Sequence, residues 1–235
     1  MPNLIINNLS ITGNTERLQS FLEKVVVIEE GKPTMDFNKI IPMPESLNIE
    51  DGSNTIRGIK HYTKFMELFG KIPDANMDAA ELDFLDMFPI DESVWELGKT
   101  AYNNRKLYGF ETWYGWRVEN WGTKWNAYGQ DKCELNTEEG KILMTFRTAW
   151  ASPFPIFERI SSEYPDFKVH ILWADEDLGY NCGSRTYVKG RVKYYYNPAE
   201  RNSALRFAFK AWGLTPQEAG YRYNKETKEF EYIEE

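Results

Sequence analysis

The order of strand-like and helix-like segments constrains the fold of this chain more than any other feature of its sequence. Apolar and polar residues alternate over 4–12, as in a half-buried strand, and Asn14 can cap a helix predicted over 15–27. A second series of elements follows much later in the chain. It consists of a strand, a strand, a helix and a strand, at 124–128, 141–150, 155–164 and 167–174.

The resulting order, β-α-β-β-α-β, is that of the split βαβ arrangement, in which two helices cover one face of an antiparallel sheet. We therefore predict an α+β fold with a ferredoxin-like antiparallel sheet in one domain, 1–235. Helical patterns between the first helix and the second strand predict a helical insertion over 50–110. A hairpin around Gly190, a helix and a terminal hairpin predict an extension over 178–235.

The charge of the chain disfavours one class of partner. Its 36 acidic and 28 basic residues leave a formal net charge of −8, whereas general nucleic-acid binding depends on lysine and arginine neutralising phosphates. No apolar run approaches the ~20 residues of a membrane span, and the amino end lacks the pattern of a signal peptide. We expect a cytoplasmic protein with no membrane partner.

The cysteines and histidines do not form a recognisable site. Cys133 and Cys182 lie far apart, and neither these two residues nor His61 and His170 have the spacing of a zinc site. Both cysteines are expected to be inert reduced thiols. Neither histidine has a serine or cysteine nearby in a context typical of a nucleophile, so we predict no catalytic residue, metal or cofactor.

Three adjacent acids, Asp175, Glu176 and Asp177, follow the strand predicted over 167–174. Carboxylates are ligands that Mg²⁺ prefers, so a metal-dependent enzyme is one hypothesis for this segment. However, alternate side chains on a strand point to opposite faces, so at most two of the three can converge. The other interpretation is a solvated turn before Gly179.

Four of the eight tryptophans fall within 113–125, at positions 113, 116, 121 and 125. One interpretation is a stacking platform for a base, with Arg117 and Lys124 available for a phosphate. The other is that the rings pack where the helical insertion rejoins the sheet, with Asn120 and Thr123 turning the chain at Gly122. The predicted ligand-binding residues here are Trp113, Trp116, Arg117, Asn120, Trp121, Lys124 and Trp125.

A second basic and aromatic stretch lies in the predicted hairpin of the extension. Arg185 and Tyr187 share one face of its first strand and are also predicted ligand-binding residues. Lysines, arginines and tyrosines continue from Lys189 to Tyr196. These residues would suit contact with a nucleotide or RNA, but an edge hairpin protected from aggregation by its charges would have the same composition.

Two segments of the chain resemble a known family. Residues 120–127, and residues 146–150 followed by Pro153 and Pro155, are similar to the YubB-type proteins of phages and plasmids. That resemblance implies a ferredoxin-like domain and a mobile-element origin. It implies no established activity, because this family has no known function.

Together these features predict a non-enzymatic accessory protein of a mobile element. It would act as an anti-defence factor, either by binding a host protein or by sequestering a nucleotide-type ligand. The alternative is a protein that binds or processes single-stranded nucleic acid, which the net charge does not favour.

Overall fold

Strand β1 (Leu4–Thr12) begins the fold with the odd-numbered side chains from Ile5 to Ile11 buried, as its pattern predicts, and Ile6 on the other face is buried as well. The computed structural model describes residues 3–29 and 31–233, so residues 1, 2, 30, 234 and 235 of the predicted domain 1–235 lie outside the described residues. The chain forms two compact units. Residues 1–42 and 119–235 form the first, and residues 43–118 form the second, which contains the predicted insertion.

Helix α1 (Thr15–Val25) starts where the sequence indicates, because the Asn14 side chain accepts the backbone N–H of Arg17 at 3.2 Å. It ends two residues earlier than predicted. The chain passes directly into a hairpin of β2 (Val26–Glu29) and β3 (Lys32–Met35), which was not predicted from the sequence. The run of β-branched residues at 25–28 explains the difference, since such side chains favour strands over helices.

The central sheet contains the remaining predicted strands and confirms the fold class. The strands that join β1 in this sheet are β4 (Tyr128–Asn136), β5 (Lys141–Ala149), β6 (Lys168–Asp175), β7 (Gly183–Val188) and β8 (Arg191–Tyr196). Helix α6 (Phe154–Glu163) connects β5 to β6. The spatial order is β4-β5-β1-β6-β7-β8, and every neighbouring pair is antiparallel. The first four of these strands have the order of a ferredoxin-like sheet, which the β7–β8 hairpin extends beside β6.

The two faces of this sheet are covered differently. On one face, Phe157 of α6 packs against the rings of Phe146 and Tyr187. The other face receives helix α7 (Arg201–Trp212), whose buried alanines pack on Ile6 and Ala174. A terminal hairpin, β9 (Tyr221–Asn224) and β10 (Glu229–Tyr232), packs against α7 through Phe230.

Two element boundaries in this unit differ from the prediction. The strand expected over 124–128 begins at Tyr128 instead, because the Thr123 hydroxyl donates to the carbonyl of Ala149 and Asn126 bonds Asp36 and the Phe37 amide. These bonds hold the preceding residues in an irregular path. The pair Asn197-Pro198 is typical of a helix start, but helix α7 begins at Arg201, so Pro198 belongs to the connection from β8.

The second unit is helical and comprises α2 (Ser53–Phe69), α3 (Met77–Met87), α4 (Glu92–Tyr108) and most of α5 (Trp113–Trp121). Its core contains the rings of Tyr62, Phe65, Phe84 and Trp95. Helices α2 and α4 approach each other closely at Gly58 and Gly98. In the part of the chain that the structure describes, no helix is both long and apolar enough to cross a membrane.

Candidate functional site

The tryptophans of the 113–125 cluster differ in exposure, which decides which of them a ligand can reach. Trp121 is 1% exposed, donates its indole N–H to the Ile41 carbonyl at 2.9 Å and lies edge-on to Phe37. Trp116 is also buried. In contrast, Trp125 is 37% exposed. Trp121 therefore belongs to the core of the first unit, and Trp125 to its surface.

The first part of the cluster lies on helix α5. Trp113 is half-buried, and the guanidinium carbon of Arg117 stands 5.0 Å from the centroid of its ring. Tyr114 meets the same indole edge-on at 5.7 Å. Asn120, near the end of the helix, is half-buried as well. Arg117 thus already has an aromatic partner within one helical turn.

The second part of the cluster meets a tryptophan from another element. The Lys124 ammonium lies 5.2 Å from the ring centroid of Trp125 and 5.0 Å from that of Trp150. Trp150 follows strand β5 and is 42% exposed. We call Lys124, Trp125 and Trp150 the Lys124 surface. It brings one cation into cation–π distance of two accessible indoles.

A buried polar network holds the loop that carries Trp150. The Ser152 hydroxyl donates to Asn7 Oδ1 at 2.6 Å, and the Asn7 amide donates to Thr148 Oγ1 at 2.8 Å. The Thr148 hydroxyl in turn donates to the Ala151 carbonyl at 2.7 Å. Because Asn7, Thr148 and Ser152 are all buried, this network positions the loop without depending on solvent.

Trp150 adopts a backbone conformation that bulky residues rarely take. Its φ is 68°, in the left-handed region, and its amide N–H donates to the Asn3 carbonyl at 2.9 Å. An L-residue in this region costs about 1–2 kcal/mol. Strain of this kind is concentrated at functional sites, so the conformation supports a role for this exposed ring.

This strain predicts an unusual order of stability among Trp150 variants. Trp150→Gly and Trp150→Ala both remove the ring, but only glycine relieves the left-handed backbone. We expect Trp150→Gly to be the more stable of the two by about 1 kcal/mol, measured by urea unfolding. Equal stability of the two variants would show that the backbone at position 150 is unstrained.

A second cation lies next to the Lys124 surface. Tyr128 meets Trp125 edge-on at 6.1 Å, and Arg147 is its register partner on strand β5. Burial raises the pKa of the Tyr128 hydroxyl, the charge of Arg147 acts in the opposite direction, and Glu176 raises the pKa further. The Tyr128 hydroxyl is buried and has no hydrogen-bond partner among the described residues.

The Arg185 and Tyr187 side chains lie on the face of the sheet that packs against α6. The guanidinium carbon of Arg185 stands 3.7 Å from the Phe154 ring centroid and 5.5 Å from those of Trp173 and Tyr195. Tyr187 is 1% exposed, and burial raises the pKa of its hydroxyl while Arg185 opposes that rise. Arg185 is therefore packed among rings, and Tyr187 is a core residue.

The rest of the basic and aromatic hairpin is open to solvent. Every residue of β8 is exposed, and this strand lies at the edge of the sheet beyond β7. The two interpretations of these residues, a nucleotide or RNA contact and an edge protected by charge, both remain predictions.

The acids after β6 make hydrogen bonds within the fold. Asp175 is buried and accepts the Asn3 amide at 3.2 Å and the Asp177 backbone N–H at 2.9 Å. Glu176 accepts the Leu4 backbone N–H at 2.9 Å. Across residues 3–29 and 31–233, no group of three or more histidines, cysteines or acids is placed to hold a metal ion.

The comparison with known protein families agrees with this architecture. Residues 121–217 match a family model described as the ferredoxin-like domain in Api92-like protein, the C-terminal domain of the DUF1281 family. A crystal structure of protein api92 from Yersinia pseudotuberculosis is similar at 9% identity, with a TM-score of 0.45, over 85% of this chain and all of that one. No curated protein matches the chain.

The Lys124 surface falls wholly within the ferredoxin-like domain of 121–217. Trp150, Tyr128 and Arg147 were not among the residues predicted from sequence to bind a ligand. The available signal for Trp150 was its position, at the end of the strand predicted over 141–150 and just before two prolines at 153 and 155. No sequence pattern indicates that Trp150 lies near Lys124, since the two residues belong to separate segments of the chain.

Proposed function

We propose that this protein is a non-enzymatic binding protein that takes a nucleotide-type ligand at the Lys124 surface. The observation that carries the proposal is the Lys124 ammonium within 5.2 Å of the centroids of two indoles that are 37% and 42% exposed. A base stacked on an aromatic side chain gains about 1–3 kcal/mol, with little dependence on its identity. A lysine beside the stacking rings supplies the charge for a phosphate.

Two further observations support the same proposal. Trp150 keeps a strained left-handed backbone that glycine would occupy without cost, which is expected where the ring itself is needed. Arg147 lies opposite Tyr128, whose ring contacts Trp125, so a second positive charge stands close to the stacking rings.

The biological setting belongs to the proposal as well. We infer an accessory role in a mobile element, as an anti-defence factor acting in the cytoplasm of a host cell. The support for this setting is the resemblance of residues 120–127 and 146–150 to YubB-type proteins of phages and plasmids. A host protein as the bound partner is the other form of this hypothesis.

Titration of the protein with the four common ribonucleoside monophosphates tests the binding proposal, with calorimetry and tryptophan emission as readouts. We expect at least one of them to bind. Trp125→Ala and Trp150→Ala should each weaken binding by about 5- to 150-fold, since each removes one stacking ring. Tyr232→Ala, which removes a ring that is 67% exposed on the terminal hairpin, should leave the affinity unchanged.

Two results would refute the proposal. One is that no nucleotide of the panel changes either readout, and the other is that both tryptophan variants bind as tightly as the wild type. Loss of stability in a variant is separated from loss of binding by recording its unfolding curve under the same conditions.

Single-stranded nucleic acid remains the second candidate because β8 exposes three consecutive tyrosines, Tyr194, Tyr195 and Tyr196, between lysines and arginines. In that case an oligonucleotide should bind far more tightly than a mononucleotide, with an affinity that falls steeply as salt is added. Tyr194→Ala should then weaken binding of the oligonucleotide. No binding of any oligonucleotide at low salt would exclude this candidate.

A further inference from the structure

The face of the sheet that receives α7 is only partly covered. Asn8 donates its amide to the Ala211 carbonyl at 2.7 Å, which marks where the end of α7 crosses β1. Beyond that contact, Ser10 and Thr12 lie on the face opposite buried Leu9 and Ile11. There the surface forms a cavity of about 380 Å³, which we call the open-face pocket. Its lining residues are Ser10, Thr12, Lys141, Lys168, His170 and Thr186.

Strand register arranges these six side chains in two rows across the sheet. Thr12 pairs with Lys141 of β5 on one side and with Lys168 of β6 on the other. In the next row, His170 pairs with Ser10 on one side and Thr186 on the other. Side chains at directly paired positions are close neighbours, so two ammonium groups flank one hydroxyl. The rows stand side by side because Ser10 and Thr12 are two residues apart on β1.

The lining is positively charged in a protein that is acidic as a whole. Its groups are two ammonium groups, an imidazole and three hydroxyls, and none is a carboxylate. Neither Lys141 nor Lys168 has a carboxylate within ion-pair distance among the described residues, although the chain has a net charge of −8. A cleft lined by charges of one sign concentrates its electric potential and attracts ions of the opposite sign.

The pKa of His170 is sensitive to this positive potential. Burial lowers its pKa most, followed by the charge of Lys168, and the charges of Lys210 on α7 and Lys141 on β5 lower it further. A hydrogen bond with the Arg185 backbone acts in the opposite direction. The Nδ1 atom lies 2.9 Å from the Thr186 hydroxyl, which holds the ring in place. Burial and the neighbouring charges thus disfavour protonation of His170, and an anion bound beside these charges would offset their part of the effect.

We propose that the open-face pocket binds a phosphate-type oxyanion, with Lys141 and Lys168 as the charged donors and Thr12 and Ser10 as hydroxyl donors. A bound anion relieves the repulsion between the two ammonium groups and forms charge-assisted hydrogen bonds with them. The ligand is either free phosphate or the phosphate group of a larger molecule, since both present the same oxygens. This site is separate from the Lys124 surface and does not depend on the function proposed for it.

The histidines provide a direct readout. The chain has two, so the His61→Gln variant leaves His170 as the one imidazole signal in a proton NMR titration. We expect inorganic phosphate to raise the pH midpoint of His170 relative to chloride at the same ionic strength, because the anion stabilises the protonated ring. An unchanged midpoint in phosphate would overturn the proposal.

Charge-removing variants locate the site. Lys141→Met and Lys168→Met should each bind phosphate at least about tenfold more weakly than the wild type. Each variant is measured in phosphate and in chloride. Lys225→Met removes an exposed lysine from the turn of the terminal hairpin and should bind phosphate as the wild type does. Equal affinity in all three variants would mean that phosphate binds elsewhere, and would also refute the site.

Two comparisons complete the test. Ribose 5-phosphate binding more tightly than inorganic phosphate identifies a phosphate group of a larger ligand, and the reverse order identifies the free ion. Either result supports the oxyanion site. In the Trp125→Ala variant, the effect of phosphate on the pH midpoint of His170 should be the same as in the wild type. The result at the open-face pocket therefore does not depend on whether the Lys124 surface binds a nucleotide.

Discussion

Replacing Trp121 by alanine is expected to destabilise the protein by about 3–5 kcal/mol, the cost typical of removing a large ring from a packed core. Trp121 is 1% exposed and contacts Phe37 edge-on. Its removal also leaves the Ile41 carbonyl without the indole N–H that reaches it at 2.9 Å. Urea unfolding, followed by far-ultraviolet circular dichroism, measures the change.

Trp125→Ala is the matched control, because it removes the same side chain four residues later from an exposed position. We expect it to change the free energy of unfolding by less than about 1 kcal/mol. Similar losses for the two variants would contradict the division of the cluster into a core part and a surface part. If only Trp121→Ala loses stability, the weaker nucleotide binding of Trp125→Ala is due to the missing ring and does not come from unfolding.

Replacing Gly98 by alanine is expected to destabilise the helical unit by about 3 kcal/mol or more, at or above the upper end of the usual cost of overpacking. An added Cβ there would overlap the backbone of Gly58 on the facing helix, and a Cβ on Gly58 would stand 2.9 Å from the Cα of Gly98. Because the obstacle is backbone, a rotamer change cannot relieve it, and helices α2 and α4 must separate. Urea unfolding measures the loss, and hydrogen exchange locates it in those helices.

Gly115→Ala provides the comparison for this prediction. Gly115 lies in α5, and the nearest atom to an added Cβ is Cδ1 of the Phe110 side chain at 3.3 Å. Alanine is the better helix former by about 1 kcal/mol, so Gly115→Ala should be neutral or stabilising. If Gly98→Ala changed the free energy of unfolding as little as Gly115→Ala, it would contradict the close approach of α2 and α4 at Gly58 and Gly98.

Local sequence patterns predicted most of the elements because each pattern reports on neighbouring residues. The Asn14 cap and the strand at 141–149 depend only on side chains a few positions apart. The β2–β3 hairpin was missed because its strands are only four residues long and β2 overlaps the end of the helix predicted over 15–27. The start of β4 was misplaced because long-range bonds from Thr123 and Asn126 hold 124–127 out of the sheet.

The candidate sites depended much more on tertiary structure. Sequence spacing grouped Trp113, Trp116, Trp121 and Trp125 as one cluster, although two of the four are buried. It also overlooked Trp150, since nothing within a few residues of Lys124 indicates that β5 ends beside it. The two rows of the open-face pocket come from the register of four strands, which short-range patterns do not specify.

The sequence by itself therefore determined the order of the elements of the ferredoxin-like sheet, because hydrophobic periodicity and helix caps are local properties of the chain. Only the tertiary structure decided which aromatic rings face solvent and which cations stand beside them. Burial and proximity depend on how distant segments pack together. Lys124 and Trp150 are 26 positions apart, and the hydrogen bond from Thr123 to the Ala149 carbonyl joins the two segments that carry them.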